Sequence, residues 1–326
     1  MEDSIIKKTI DIIDAKKCTV GIIGLGYVGL PLSILFAKNN FKIIGFDLDK
    51  TKILKIKKNN SYIERISNRD VSLINNKGEF YSNFSNISKC DIIVICVPTP
   101  LKNKDIPDLS FIKNTIRSIK KYLKKGQILI LESTSYPGTT KEEIYEKIKH
   151  KFNIGKEFFL GFSSERIDPG INENSIQKIP KVVSGYSENC LKVISNFYKK
   201  SFNKIVESKS IEIAEFSKLL ENIYRSVNIG FINEMKILAD KMGLDIFDVI
   251  KNLTEVDISD PDEHLITIDG LYDFFRRIHK DIKYENLLAV EYSDSTFNFE
   301  LWYGLIKINK NKEKNFKYFF INYTLI

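Results

Sequence analysis

Thr19-Val20-Gly21-Ile22-Ile23-Gly24-Leu25-Gly26-Tyr27-Val28-Gly29-Leu30 is the stretch on which the fold turns. An apolar, strand-like segment runs into Gly24-x-Gly26-x-x-Gly29, and an apolar, helix-like segment follows from Leu30 to Ala37. A second apolar run, Lys42 to Phe46, ends in Asp47, 23 residues after Gly24. Strand, glycine turn, helix, strand and acid in that order make a dinucleotide-binding unit. Gly24 permits a tight turn, Gly26 lets the backbone approach a pyrophosphate, and Gly29 lets helix and strand pack closely. Tyr27 and Val28 complete the loop and count with the glycines as cofactor contacts. The helix N-terminus presents unpaired N–H groups and a partial positive charge to the phosphates. Asp47 can accept hydrogen bonds from the adenosine ribose and would repel a 2′-phosphate. NAD is therefore expected over NADP, a preference that Lys50 and Lys52 weaken. The competing reading is a glycine-rich turn with no ligand.

Composition narrows the classes. The 326 residues suffice for one large domain or two ordinary ones. No apolar run approaches the ~20 residues of a membrane span, and Met1-Glu2-Asp3-Ser4 lacks the layout of a secretion signal. Cys18, Cys90, Cys96 and Cys190 show neither CxxC pairing nor metal spacing, so free thiols in a reducing cytoplasm, and no metal, are expected. Fifty basic against 42 acidic residues give +8. The lysines are scattered, as in Lys52-Ile-Leu-Lys-Ile-Lys-Lys58, which is a solvated helix face rather than a nucleic-acid groove. A basic surface would still attract a polyanionic cofactor or nucleotide.

Further along, a short amphipathic helix over 5–16 precedes the glycine unit. Asp91 to Val97, Gln127 to Leu131, Phe158 to Gly161, Lys181 to Ser184 and Lys204 to Val206 read as strands. Asp108 to Leu123, with Asp108 or Ser110 as cap, Lys141 to about His150, and Glu188 to Lys199 read as helices. Strands alternating with helices predict a doubly wound, parallel α/β Rossmann sheet. Ser210 to Met242, interrupted only by Gly230, predicts one long helix, and Asp245 to Leu253 a short one. From about Thr254 the texture changes: 255–326 holds 14 of the 38 aromatic residues and no phosphate loop. Within it Thr296 to Leu301 alternates like a strand. The expected organisation is an N-terminal helix (1–16), an NAD-binding domain (17–207), a central helical segment (208–253) and an unassigned tail (254–326).

Four constellations fall where ligands of a doubly wound sheet bind, at the carboxyl ends of strands. Val97-Pro98-Thr99-Pro100 offers Pro98 and the Thr99 hydroxyl to cofactor ribose, or is only a turn. Glu132-Ser133-Thr134 follows another buried strand. In Ser163-Ser164-Glu165-Arg166-Ile167-Asp168-Pro169-Gly170, Glu165 can act as a general base or hold a water, or merely pair with Arg166 on the surface. Lys218 and Asn222, four apart, share one helix face and could donate to a developing oxyanion. From spacing alone that pattern is equally a solvated one.

The segments Gly24 to Pro31, Gly45-Phe-Asp47, Ser61-Tyr-Ile-Glu64, Val97 to Pro100, Glu132 to Thr134 with Pro137 to Thr140, Ser164 to Gly170, and Lys218-Leu-Leu-Glu-Asn222 occur in the order found in nucleotide-sugar 6-dehydrogenases. Over about 17–253 the chain resembles the UDP-glucose/GDP-mannose dehydrogenase family, most of all its UDP-N-acetylglucosamine and UDP-N-acetylmannosamine branch. The resemblance implies oxidation of a sugar C6 alcohol to a carboxylate with two NAD⁺, in nucleotide-sugar metabolism and polysaccharide biosynthesis. It implies that Lys218 and Asn222 stabilise oxyanions and that Glu165 and Thr134 position water. Thr134 also counts as a cofactor contact. A homodimer built on the long helix, a UDP-sugar substrate, and neither nucleic acid nor membrane as partner complete the expectation.

The family's nucleophilic cysteine, in a Gly-Gly-x-Cys loop after the long helix, has no counterpart here, since all four cysteines precede Lys218. Residues 255–326 match neither that loop nor the family's UDP-binding domain. The expectation is a truncated or frameshifted dehydrogenase that does not complete the four-electron oxidation alone and holds UDP-sugar weakly or not at all. The alternative is a non-catalytic, dimeric NAD-binding module. A 2-hydroxy-acid dehydrogenase would need a catalytic histidine, and His150, His264 and His279 offer none well placed.

Overall fold

The computed structural model describes residues 2–102, 106–165 and 173–255. Its elements run α1 (Glu2–Asp14), β1 (Thr19–Ile23), α2 (Gly29–Lys38), β2 (Lys42–Phe46), α3 (Lys50–Lys57), α4 (Asn68–Lys77), β3 (Gly78–Tyr81), β4 (Ile92–Ile95), a short pair β5 (Leu101–Lys102) and β6 (Ile106–Pro107), α5 (Ser110–Ile119) and β7 (Ile128–Leu131). A π-helical turn (Thr140–Tyr145) leads into α6 (Glu146–Ile148), then β8 (Phe159–Ser163), β9 (Lys181–Gly185), α7 (Glu188–Lys199), β10 (Ile205–Glu207), α8 (Ile211–Lys241) and α9 (Ile246–Glu255). The strand expected at 296–301, His264 and His279, and the tail lie outside the described residues. The chain divides into two compact units, the first reaching Leu220 and the second beginning at Glu221.

In the first unit eight strands form one sheet in the order β10-β9-β8-β7-β4-β1-β2-β3. The central strands are apolar on both faces because helices cover both, and β4 (Ile-Ile-Val-Ile) and β7 (Ile-Leu-Ile-Leu) are buried at every residue. One face packs α1, α2 and α7 around Phe36, Phe41, Phe197 and Tyr198, with the Phe36 and Phe197 rings 4.9 Å apart. The other packs α5, α6 and the start of α8 around Ile112, Ile148, Phe158 and Ala214.

The all-parallel expectation needs one correction. Every neighbouring pair is parallel except β8 and β9, which run antiparallel with Ser163 opposite Val183. A parallel return needs a long crossover. The described part of this connection holds only a 3-10 turn, Glu173–Lys178. The helix expected from Lys141 opens as a π turn instead, and α4 and β3 carry no expectation from periodicity. α5 starts at Ser110, whose N–H donates to Asp108 Oδ1 at 2.8 Å.

In the second unit α8 continues to Lys241, and the chain turns at Gly243 (φ +70°), where the Leu244 N–H reaches the Ala239 carbonyl at 2.9 Å before α9 begins. Among the described residues no helix is long and apolar enough to cross a membrane.

Candidate active site

β1, β4, β7 and β8 are mutually parallel neighbours, so their carboxyl ends share one edge of the sheet. That edge gathers the glycine loop after β1, Asp47 after β2, Pro98 and Thr99 after β4, Glu132 to Thr134 after β7, and Glu165 after β8. Gly24 adopts φ +91° and lies against the Cys96 carbonyl, where an added Cβ would come within 2.6 Å of the oxygen. Around Gly26, by contrast, an added Cβ meets nothing within 4 Å. Behind the loop, Gly29 packs against the Gly24 carbonyl and Ile22 so closely that no Cβ fits. The loop is therefore tight underneath and open on top, which is the shape a pyrophosphate needs above a helix N-terminus. Tyr27 projects outward, 73% exposed, and Val28 packs against the core.

Asp47 braces this loop. Its Oδ2 accepts from the Leu25 N–H at 2.8 Å and from Lys52 Nζ at 3.2 Å, and its Oδ1 accepts from the Asp49 N–H at 2.9 Å. A carboxylate has about four acceptor positions, so room for a ribose hydroxyl is left beside the three in use. Tyr62, from the Ser61–Glu64 segment, donates to the Leu25 carbonyl at 2.6 Å and ties that segment to the same loop. Burial, with Asp47 and Asp49 nearby, pushes the Tyr62 phenol above its ordinary range. Sequence reasoning did not assign Tyr62 a role, because its partner is a backbone carbonyl 37 positions away.

Thr134 is half-buried, and its neighbour Ser133 donates to the Val97 carbonyl at 2.7 Å, joining the β7 edge to Pro98 and Thr99. Pro98 is exposed and Thr99 half-buried. Arg166, the alternative partner for Glu165, lies outside the described residues, and Glu165 faces a lysine from the neighbouring strand. The Glu165 Oε2 receives Lys181 Nζ at 3.1 Å. Lys181 also donates to Glu132 Oε2 at 2.7 Å and to the Ser164 carbonyl at 3.2 Å, and Tyr198 donates to the other Glu132 oxygen. Burial pushes Glu132 up to about 7. The same burial works against a charged Lys181, yet the two carboxylates outweigh it and hold the ammonium above its usual value. Lys181 and Tyr198 escaped the sequence reading, since a lysine opening a strand and a tyrosine within a helix carry no spacing signal. The Ser164 hydroxyl is buried without a hydrogen-bond partner among the described residues.

A second buried carboxylate, Glu215 on α8, accepts from the Gly138 N–H (2.6 Å), the Thr140 N–H (2.9 Å) and the Thr140 hydroxyl (2.7 Å). It fastens the Pro137–Thr140 turn to the helix three residues before Lys218, which is buried. Asn222 follows on the same helix as a half-buried residue of the second unit. Burial raises Glu215 to about 7. His150 is exposed. All four cysteines are buried and unpaired. Burial raises each thiol, to about 12 for Cys18 and Cys90, so none is poised as a thiolate.

The chain matches the NAD-binding domain of the UDP-glucose/GDP-mannose dehydrogenase family over residues 18–202, and that family's central domain over 212–259. It is 36% identical over 235 residues to protein CapL of Staphylococcus aureus, covering 71% of this chain and 55% of CapL. It is equally 36% identical over 243 residues to the UDP-N-acetyl-D-glucosamine 6-dehydrogenase of Pseudomonas aeruginosa, covering 72% and 56%. Among solved structures, the UDP-N-acetyl-mannosamine dehydrogenase Cap5O of Staphylococcus aureus superposes with a TM-score of 0.66 at 28% identity, over 74% of this chain and 60% of that one. The chain thus spans a little over half the length of these curated relatives. A glycine loop open only where a pyrophosphate would lie, and a match to the NAD-binding domain over more than half its residues, make NAD the cofactor and make this chain a member of the UDP-glucose/GDP-mannose dehydrogenase family.

Proposed function

We propose that this chain carries the dinucleotide site and the first oxidation step of a UDP-N-acetylhexosamine 6-dehydrogenase. In this reading 17–207 form the NAD-binding domain and 208–253 the central helical segment. The observation that carries the proposal is the convergence of the glycine loop, Thr134 and the Glu132–Lys181–Glu165 cluster on one edge of the sheet. When bound, NAD⁺ would supply the hydride acceptor for the sugar C6. Gly24, Gly26, Gly29, Tyr27 and Val28 would cradle its pyrophosphate, Asp47 would take the adenosine ribose, and Pro98, Thr99 and Thr134 would line its further course. Lys218 and Asn222 donate to the C6 oxygen as negative charge develops there. Glu165 and Thr134 hold the water that takes up the C6 hydroxyl proton as the hydride leaves. Oxidation of that aldehyde through a thioester needs a thiolate, which the four buried thiols do not supply.

NADH absorbance with UDP-N-acetylglucosamine or UDP-N-acetylmannosamine tests this. One NADH per sugar, with an aldehyde trapped by hydroxylamine, is the expected result. Two would show that a thiolate or its equivalent is present after all. None, with NAD⁺ still raising Tm, would support a non-catalytic binding module. Lys218→Ala should lower turnover on the order of 10²-fold or more and leave NAD⁺ affinity within about twofold.

The homodimer belongs to the same proposal. In the first unit α8 exposes Ile213, Phe216 and Leu220 at helical spacing, on one face. A row of large apolar side chains left in water marks an interface. Sedimentation should give a dimer for the native chain and a monomer for Phe216→Glu/Leu220→Glu. A native monomer would remove this part of the reading.

A further inference from the structure

We propose that Lys181 is the positioning residue that aims the Glu165 carboxylate, and that Glu132 and Tyr198 hold the lysine in turn. The proposal rests on the reading of Glu165 as the group that handles water at C6. Its foundation is the one reversed pair in the sheet. Because β9 runs antiparallel to β8 with Ser163 opposite Val183, the register carried two residues further sets Lys181 opposite position 165. A parallel β9 would have put its first residue at the far edge. β7 lies parallel on the other side of β8, with Leu131 opposite Phe162, which brings Glu132 to the same edge.

The lysine is 3% exposed, yet its hydrogen bonds to Glu132, Glu165 and the Ser164 carbonyl point to that edge. Its ammonium lies over two aromatic rings, 5.5 Å from the centroid of Tyr198 and 5.4 Å from that of Phe202. The charged or titratable groups facing it are Glu132, Glu165, Tyr198 and the Cys96 thiol at the end of β4. Burying an ammonium between two carboxylates is costly, and an apolar trio of equal volume would stabilise the fold as well or better. The arrangement is therefore better explained by what it does for the carboxylate at its mouth. Of the two acids Glu165 is the more accessible: its side chain is 10% exposed, against none for Glu132. Glu132 and Tyr198 thus form the buried end of a rigid support, and Glu165 its working end.

The test uses Lys181→Met combined with Glu132→Gln. Lys181→Met alone leaves two buried acids facing each other and is expected to fold poorly, whereas the pair removes one charge of each sign. The double variant should fold, bind NAD⁺ within about twofold of the native chain, and keep KM for the UDP-sugar within about threefold. Its kcat should fall on the order of 10²-fold. Glu132→Gln alone, which keeps the Lys181–Glu165 pair, should do less. Independently of turnover, the ¹³C carboxyl resonance of Glu165, assigned by its loss in Glu165→Gln, should shift in the double variant. A folded double variant with native kcat and an unmoved resonance overturns the proposal. A native chain that makes no NADH with sugar would sink the dehydrogenase reading, and the resonance would then decide the positioning role: displacement supports it, and no displacement overturns it.

Discussion

Gly29→Ala should abolish NAD⁺ binding and destabilise the first unit by on the order of 3 kcal/mol, whereas Gly26→Ala should cost little stability and still weaken NAD⁺. The two glycines stand three residues apart in one loop and do opposite jobs. A methyl on Gly29 would be driven into the Gly24 carbonyl oxygen, and would lie 3.0 Å from both the Gly24 carbonyl carbon and Ile22 Cγ2. Two of those three atoms are backbone, and Gly24 is itself pinned by its N–H on the Phe46 carbonyl at 2.8 Å. The loop has nowhere to move without breaking the β1–α2 junction. Around Gly26 no heavy atom lies within 4 Å of the added methyl. Folding should be unaffected there, to within about 0.5 kcal/mol, while the methyl occupies the space a pyrophosphate must enter. Urea unfolding together with calorimetric titration of NAD⁺ separates the two. Native NAD⁺ affinity in Gly26→Ala would show that the loop is only a turn.

Stability should fall as pH rises from about 4.5 to about 7 and level off above. Glu132 and Glu215 are both buried, and burial holds each at about 7 in the folded chain against 4.5 for the free side chain. Between those values the folded state keeps a proton that the unfolded state has released. The unfolded state binds fewer protons, so the unfolding free energy declines with pH, at up to about 1.4 kcal/mol per pH unit for each group. Below about 4.5 both states are protonated and above about 7 both are ionised, so neither range contributes a slope. Urea midpoints at pH 5, 6, 7 and 8 measure the trend. Glu215→Gln should remove roughly half of it and Glu132→Gln the other half, because the two carboxylates have no partner in common. A native chain more stable at pH 7 than at pH 5 would contradict this account.

Much of the site was legible before any coordinates. The glycine spacing, the acid that closes β2 and the strand-ending motifs at Val97, Glu132 and Ser164 are local signals, since each reflects what a strand–turn–helix junction demands of its own residues. The family resemblance added roles for Lys218, Asn222, Glu165 and Thr134. Those local signals said nothing about Lys181, Tyr198, Tyr62 or Glu215, whose partners lie 16 to 77 positions away along the chain. Pairings at that range leave no periodicity to read.

The sequence by itself determined a doubly wound α/β sheet with a dinucleotide loop, because apolar strand runs and a glycine turn act over a few neighbouring residues. Only the tertiary structure decided that β9 runs against β8. That reversal brings a lysine from the start of one strand to a carboxylate beyond the end of another, and it depends on how the sheet is threaded rather than on any residue's own preference.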